Sequence, residues 1–160
     1  MKNLNIYSYP YPTLNQVSTQ SHFFRPPMGY ENWDRFEKDM IKLMVMNSGI
    51  GLAANQVGCT ERFFSIGYQS FDEFKIPAII YNARITKASD ELEIGEEGCL
   101  SFPGVTYNVY RPIEIEAEWQ NNRGETTGAV LKGLEARCFQ HELDHLNGIT
   151  FNLRAEENNL

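Results

Sequence analysis

At 160 residues, with 42% hydrophobic and 22% charged side chains, the chain has the composition of a one-domain soluble globular protein, long enough to bury roughly two thirds of its unfolded surface without disulfides. Its apolar runs fall far short of the ~20 residues of a membrane span, the N-terminal MKNLNIYSYPYP carries no export signal, and three cysteines without paired spacing fit a reducing compartment. Acidic residues outnumber basic ones 21 to 14, giving a formal charge of -7, and the basic residues are scattered, which excludes stable nucleic-acid binding and argues against standing attachment to ribosomal RNA.

Residues 1–30 are rich in Tyr, Pro, Asn and Ser, and Pro10, Pro12, Pro26 and Pro27 break regular elements, so this segment is expected to wrap the surface as extended chain. His22 has no partner at ligand spacing and reads as a surface or packing residue. From Asn32, a helix N-cap, the apolar residues Trp33, Phe36, Met40, Leu43 and Met44 recur at helical spacing, and the helix should end before Gly49. GIGLAANQVG, residues 49–58, is too Gly-rich for a helix interior and too apolar for an exposed loop. It reads either as a peptide-docking edge at residues 49–52 followed by Gln56, whose amide can donate into a site, or as a tight packing turn, and isolated glycines in an extended run favour the turn.

Residues 62–67, 78–82 and 92–95 are short and β-prone, separated by turn-forming segments such as residues 69–73. In residues 112–120, Ile113, Ile115, Ala117 and Trp119 alternate with Glu114, Glu116 and Glu118, which predicts a half-buried strand with a solvated acidic face. NNRG at 121–124 is a hairpin turn, residues 125–131 return antiparallel, and a helix begins near Gly133 and stops at Gly148. A short apolar strand is expected at residues 149–153, followed by a polar tail, 154–160, too short to pack.

The predicted last helix contains QHELDHLNG. His141 and His145 lie about 40° apart around a helix of 3.6 residues per turn and share a face, so the pair can grip one metal ion; Glu142 projects to the flank, a base beside a water held there. The same pattern also fits an ordinary amphipathic helix with histidines in its polar stripe. Cys99, in EEGCLSFPG, is the candidate third ligand, because a thiolate and two imidazoles leave an open tetrahedral position, the catalytic rather than structural pattern. Its alternatives are a buried free thiol, the reading preferred for Cys138 and Cys59, and a nucleophile activated by His141, which would leave Glu142 and His145 idle.

GIGLAANQ, EGCLS and QHELDH, in that order and with those gaps, resemble the three signature motifs of the peptide deformylase family, and similarity runs from about Tyr9 to about Leu153. The resemblance implies an α+β fold, with the metal-binding helix packed among small, mostly antiparallel β-sheets; the long C-terminal helix of many members is not expected here. It implies a hydrolase that removes the formyl group from the N-terminal formylmethionine of new polypeptides and releases formate. Cys99, His141 and His145 would hold one divalent ion, typically Fe2+ in the cell, with Zn2+, Ni2+ or Co2+ in preparations. Glu142 would be general base and acid, Gln56 and the backbone N–H of Leu100 would stabilise the oxyanion, and Gly51 and Gly98 would pair with the substrate backbone. The position of Arg137 and Cys138, four and three residues before His141, suggests them with Ile50 as walls of the methionine pocket, and Glu97 is expected to pair with Arg111 beneath the Cys99 loop.

Three departures from the family pattern accompany this resemblance. The chain stops about a dozen residues after Gly148, which puts docking on the ribosome in doubt; the loop after Cys99 has Arg111 as its single basic residue; and SHFFRPPMGY fits no part of the pattern. The implied partners are formylmethionyl peptides and nascent chains, met in the cytoplasm by a monomer with neither nucleic-acid nor membrane attachment. A zinc peptidase of the H-E-x-x-H type is the main alternative, but nothing after His145 supplies a third histidine. A metal-binding module that only holds peptides is third, since it would not need both Glu142 and Gln56.

Overall fold

The structure is a computed structural model that describes residues 4–67 and 78–158; the turn expected at residues 69–73 lies outside the described residues. In chain order its elements are α1 (Trp33–Met46), β1 (Gly51–Ala53), β2 (Phe63–Ile66), β3 (Ile79–Ala88), β4 (Leu92–Cys99), β5 (Phe102–Pro112), β6 (Glu114–Gln120), β7 (Thr126–Lys132), α2 (Gly133–Leu146) and α3 (Phe151–Asn158). Antiparallel pairing links them into a five-stranded sheet, ordered β1-β2-β3-β6-β7, and a separate β4-β5 hairpin. No described helix is long and apolar enough to cross a membrane.

Helix α1 starts where expected. The Asn32 side chain accepts a hydrogen bond from the Arg35 N–H at 3.0 Å, and Phe36, Met40 and Met44 form its buried stripe. Strand β2 explains why residues 62–67 show no apolar–polar alternation. Phe63 meets Phe36 of α1 (centroids 5.1 Å apart), whereas its neighbour Phe64 meets Phe139 of α2 (5.3 Å), so the sheet is covered by α1 on one face and α2 on the other. Trp119, on β6, packs against Phe139 from the same side as Phe64. Each such buried side chain contributes about 1.5–3 kcal/mol of burial, which makes this layered core the platform for α2.

On β6 the glutamates pair across strands with Lys132 (2.7 Å), Lys87 (3.9 Å) and Arg84 (2.5 Å). Exposed pairs of this kind contribute about 0–1 kcal/mol each, so they favour register more than they add stability.

Several expected boundaries change. The strands foreseen at 78–82 and 92–95 extend to Ala88 and Cys99, and the segment after Cys99, to which the sequence assigned no element, is the eleven-residue strand β5. Pairing from Leu92↔Pro112 to Gly98↔Thr106 holds that strand despite its Pro, Gly and Asn. Residues 12–15 and 27–29 of the expected extended N-terminal segment form short 3-10 turns, the first of which buries Leu14 completely. The largest correction is at the C-terminal end, where the expected strand at 149–153 and unpacked tail are instead helix α3. Phe151 and Ala155, one helical turn apart, are both buried, and Phe151 packs edge-on against Phe102 and Tyr107 of the hairpin.

Candidate active site

Helix α2 lies between the five-stranded sheet and the hairpin, and from Glu135 to Leu146 every residue except the half-buried Arg137 is buried. One face gives Ala136, Phe139 and Leu146 to the core; the other carries the two histidines toward β4. The ligand atoms of Cys99, His141 and His145 all lie within 4.8 Å of one another, and Cys99 Sγ is 3.3 Å from His145 Nε2. Spacing along α2 explains the histidine pair, whereas Cys99 arrives from the end of β4, 42 positions before His141 in the chain.

The surrounding hydrogen bonds set the chemical state of each ligand. His141 Nδ1 donates to Glu97 Oε2 at 2.8 Å, which turns Nε2 toward Cys99. Burial, then the neighbouring His141 charge, push His145 well below its ordinary value, so it is the neutral imidazole a metal requires. On His141, hydrogen bonds to Cys99 and Glu97 overcome burial and hold a proton in the metal-free protein. The pocket therefore favours positive charge where the three ligand atoms meet. A thiolate and two imidazoles form a donor set suited to zinc, cobalt or iron, and the residues present fit such an ion.

Glu142 sits beside this triangle, buried, with Oε2 lacking a hydrogen-bond partner among the described residues. Burial raises its carboxyl to about 7, with His141 pulling downward and Glu97 upward. A carboxyl whose folded value exceeds its ordinary 4.5 favours the fold below that value and loses the contribution as pH rises through 7. Metal-free Glu142→Gln should therefore be more stable than the parent at pH 8, by about 3 kcal/mol at most, with the difference vanishing near pH 4.5. Thermal unfolding at both pH values measures it, and equal midpoints at pH 8 would show that Glu142 is not held protonated.

A cavity of about 700 Å³ opens onto these groups and is lined by Ile50, Gly51, Gln56, Gly98, Leu100 and Cys138, among others. Gln56 Oε1 accepts the Ala53 N–H at 2.9 Å, which leaves Nε2 facing Ser101 Oγ (3.1 Å) and Cys99 Sγ (3.6 Å) as a donor at the site. Leu100 is in the β4-β5 turn. Gly51 is on β1, the edge strand of the sheet, where a side chain would run into the Glu142 carboxyl, with Cδ at 2.6 Å and Cγ at 2.8 Å. Residues 51–53 are therefore an edge strand rather than the tight turn that isolated glycines favoured, and Gly51 is where the Glu142 side chain comes close. Gly51→Ala should fold but displace Glu142, lowering kcat about 100-fold, the usual result of a ~1 Å misplacement; an unchanged kcat would show that the carboxyl tolerates the shift. Gly98, by contrast, has open space before it.

Arg137 contributes its stem to the cavity wall, but its guanidinium clamps the hairpin, donating to Glu97 Oε1 (2.9 Å), Val109 O (2.9 Å) and Glu93 O (2.7 Å). Glu97 pairs with Arg111, as expected: Nε and Nη2 of Arg111 donate to its two oxygens at 2.7 and 2.9 Å. Although burial alone would raise Glu97, the hydrogen bonds from Arg111 and His141 hold it well below the usual carboxylate range. Cys138 is a buried thiol, pushed up by desolvation and then by Glu142, and Cys59 is likewise buried. Sequence reasoning missed Asn55, which donates to the His145 carbonyl at 2.5 Å, and Asp144, which accepts Arg111 Nη1 at 2.6 Å. Both are contiguous with motif residues, the one signal that could have marked them. His22 is exposed beside Phe24, away from these groups.

An α+β fold in which a thiolate and two imidazoles converge beside a buried carboxyl has the design of a metal-dependent hydrolase. The family model for polypeptide deformylase matches residues 3–159, and the chain belongs to that family. It is 43% identical over 117 residues to a peptide deformylase of Prochlorococcus marinus, an alignment covering 73% of this chain and 58% of that relative's length. The crystal structure of peptide deformylase from Thermotoga maritima superposes with a TM-score of 0.83 at 36% identity, covering 94% of this chain and 96% of that one. A Synechococcus elongatus peptide deformylase in complex with actinonin gives 0.83 at 34% identity, over 95% and 80% of the two chains.

Proposed function

We propose that residues 1–160 form a single peptide deformylase catalytic domain that removes the formyl group from formylmethionyl peptides and nascent chains. The observation that carries this reading is the convergence of Cys99, His141 and His145 at the cavity beside the Glu142 carboxyl, whose Oε2 has no hydrogen-bond partner among the described residues. Cys99, His141 and His145 would hold one divalent ion, Fe2+ in the cell, with Zn2+, Ni2+ or Co2+ able to replace it. Such an ion supplies Lewis acidity, lowering the pKa of water and polarising a carbonyl oxygen.

The protein's own groups do the rest. Gly51 on β1 and Gly98 on β4 flank the cavity and offer backbone to an extended peptide, while Ile50, Cys138 and the Arg137 stem enclose the methionine side chain. Glu142 accepts a proton from water as its oxygen bonds to the formyl carbon. Gln56 Nε2 and the Leu100 N–H donate to the developing oxyanion, each such donor contributing about 3 kcal/mol. When the C–N bond breaks, Glu142 returns the proton to the leaving nitrogen, giving formate and a free amine. Oxidation of a thiolate beside iron would destroy the site, which supports a reducing cytoplasm as its compartment. The scattered basic residues support action on peptide rather than on nucleic acid, by a monomer.

The test is formate release from a formyl-Met tripeptide by full-length protein loaded anaerobically with Fe2+, or with Ni2+. Release without cleavage of internal peptide bonds is expected. Folded, metal-loaded protein that releases no formate would refute the reading, and internal cleavage would favour the peptidase.

A further inference from the structure

We propose that Arg154, on α3, is a positioning residue for the metal-ligand set, acting through Asp144, Arg111 and Glu97 on His141. The inference rests on the reading of Cys99, His141 and His145 as ligands and extends it to an element that touches none of them through its charged groups. Arg154 grips both oxygens of Asp144, with Nη2 to Oδ1 at 2.6 Å and Nε to Oδ2 at 3.1 Å. The same Oδ2 accepts Arg111 Nη1 at 2.6 Å. Arg111 in turn holds both oxygens of Glu97, and Glu97 Oε2 accepts His141 Nδ1–H at 2.8 Å. Arg111 and Glu97 are only 4% and 5% exposed as side chains, and Asp144 12%, so water replaces little of what the inner links lose, while Arg154 at the outer end is 30% exposed.

Geometry gives Arg154 a specific task. Arg111 lies between two carboxylates, Glu97 on the hairpin and Asp144 on α2, which compete for one guanidinium. Satisfied by the Arg154 fork, Asp144 needs only one Arg111 nitrogen, leaving the other two to hold Glu97 in the plane that orients His141. Without Arg154, Asp144 Oδ1 loses its partner and Asp144 draws Arg111 toward itself, loosening Glu97. A second contact ties α3 to the same ligand from the other side: Phe151 packs against the His141 ring, centroids 5.8 Å apart.

The experiment measures Co2+ affinity by chelator competition, and the Co2+ absorption spectrum, on full-length protein without formylated substrate. Arg154→Ala should bind Co2+ about three- to tenfold more weakly, a smaller loss than the about 10- to 100-fold typical of a ligand's direct partner, because Arg154 stands three links beyond Glu97. The variant's ligand-field bands should shift, and a shift that persists in Arg154→Lys, where α3 still packs Phe151 on His141, separates loss of the fork from loss of helix packing. Arg154→Lys keeps the charge but not the fork and should recover only part of the affinity. Glu157→Gln, which removes the other partner of Arg154, should change neither readout. In an Asp144→Asn background, Arg154→Ala should add nothing further. Should Arg154→Ala not fold, the Lys variant decides. Parent-like affinity and spectrum in the Ala or Lys variant, or a full additive loss in the double variant, would overturn the proposal. Protein that binds Co2+ with these dependences yet releases no formate would refute the deformylase reading and leave this one standing.

Discussion

Glu142→Ala should retain its metal and its fold while deformylation falls by about three orders of magnitude. Removal of a general acid–base group typically costs about 100- to 10,000-fold, and the upper part of that range applies because Glu142 is asked both to accept and to return the proton. The loss should appear in kcat rather than KM, since no Glu142 atom is needed to hold the peptide backbone or the methionine. Metal content by atomic absorption and single-turnover formate release measure the two halves. A variant that loses metal along with activity would recast Glu142 as part of the ligand cage, and one that keeps a tenth of parental activity would move the base elsewhere.

The second large effect is expected at Arg111. Arg111→Met leaves Glu97 and Asp144 buried without their shared cation, and breaking a buried pair from one side costs about 3–5 kcal/mol. The sign follows from two buried carboxylates losing their shared cation, not from the strength of the bridge, and the loss should fall at the low end of that range because Glu97 keeps Arg137 and His141 while Asp144 keeps Arg154. Glu97 also holds His141, so metal affinity should drop about 10- to 100-fold in the same variant. Denaturant unfolding of the metal-free protein measures the first effect and chelator competition the second. Unchanged stability would mean that water reaches Glu97, and unchanged affinity would mean that His141 does not depend on it.

The legible and illegible parts of the molecule divide on a physical line. The pairing of His141 with His145 follows from helix geometry alone, and α1, β6 and the hairpin after it follow from periodicity and turn chemistry. The arrival of Cys99 at those histidines does not, because it depends on how the hairpin docks onto α2; ligand chemistry made Cys99 a candidate, and the resemblance of EGCLS to a family motif singled it out. Strand β5 was hidden by Pro103, Gly104 and Asn108, residues of low strand propensity; Asn108 is held by its pairing with Glu96, and Pro103 and Gly104 fall in the register shift between the Gly98↔Thr106 and Cys99↔Phe102 pairs. Helix α3 was misread for the opposite reason. A short apolar run such as ITFNL does not distinguish strand from helix, and the deciding spacing, Phe151 to Ala155, is a single turn. Its cost was functional as well as structural, because a supposed polar tail concealed Arg154.

The burial of α2 also governs how the site fluctuates. Past its exposed first two residues, α2 is buried from Glu135 on save at Arg137, so the amides around His141 and His145 are expected to be among the slowest to exchange with solvent. Both histidines and the base are therefore carried on the most persistent part of the protein, while Cys99 belongs to a two-stranded hairpin with much less around it. Opening of the hairpin would lift Cys99 away and, because Glu97 is on the same strand, free His141 Nδ1 with it, leaving His145 as the ligand that stays in place. The exchange rate of the ion should therefore follow the opening of β4 and β5, and that opening is restrained by Arg137, which ties α2 to both strands of the hairpin.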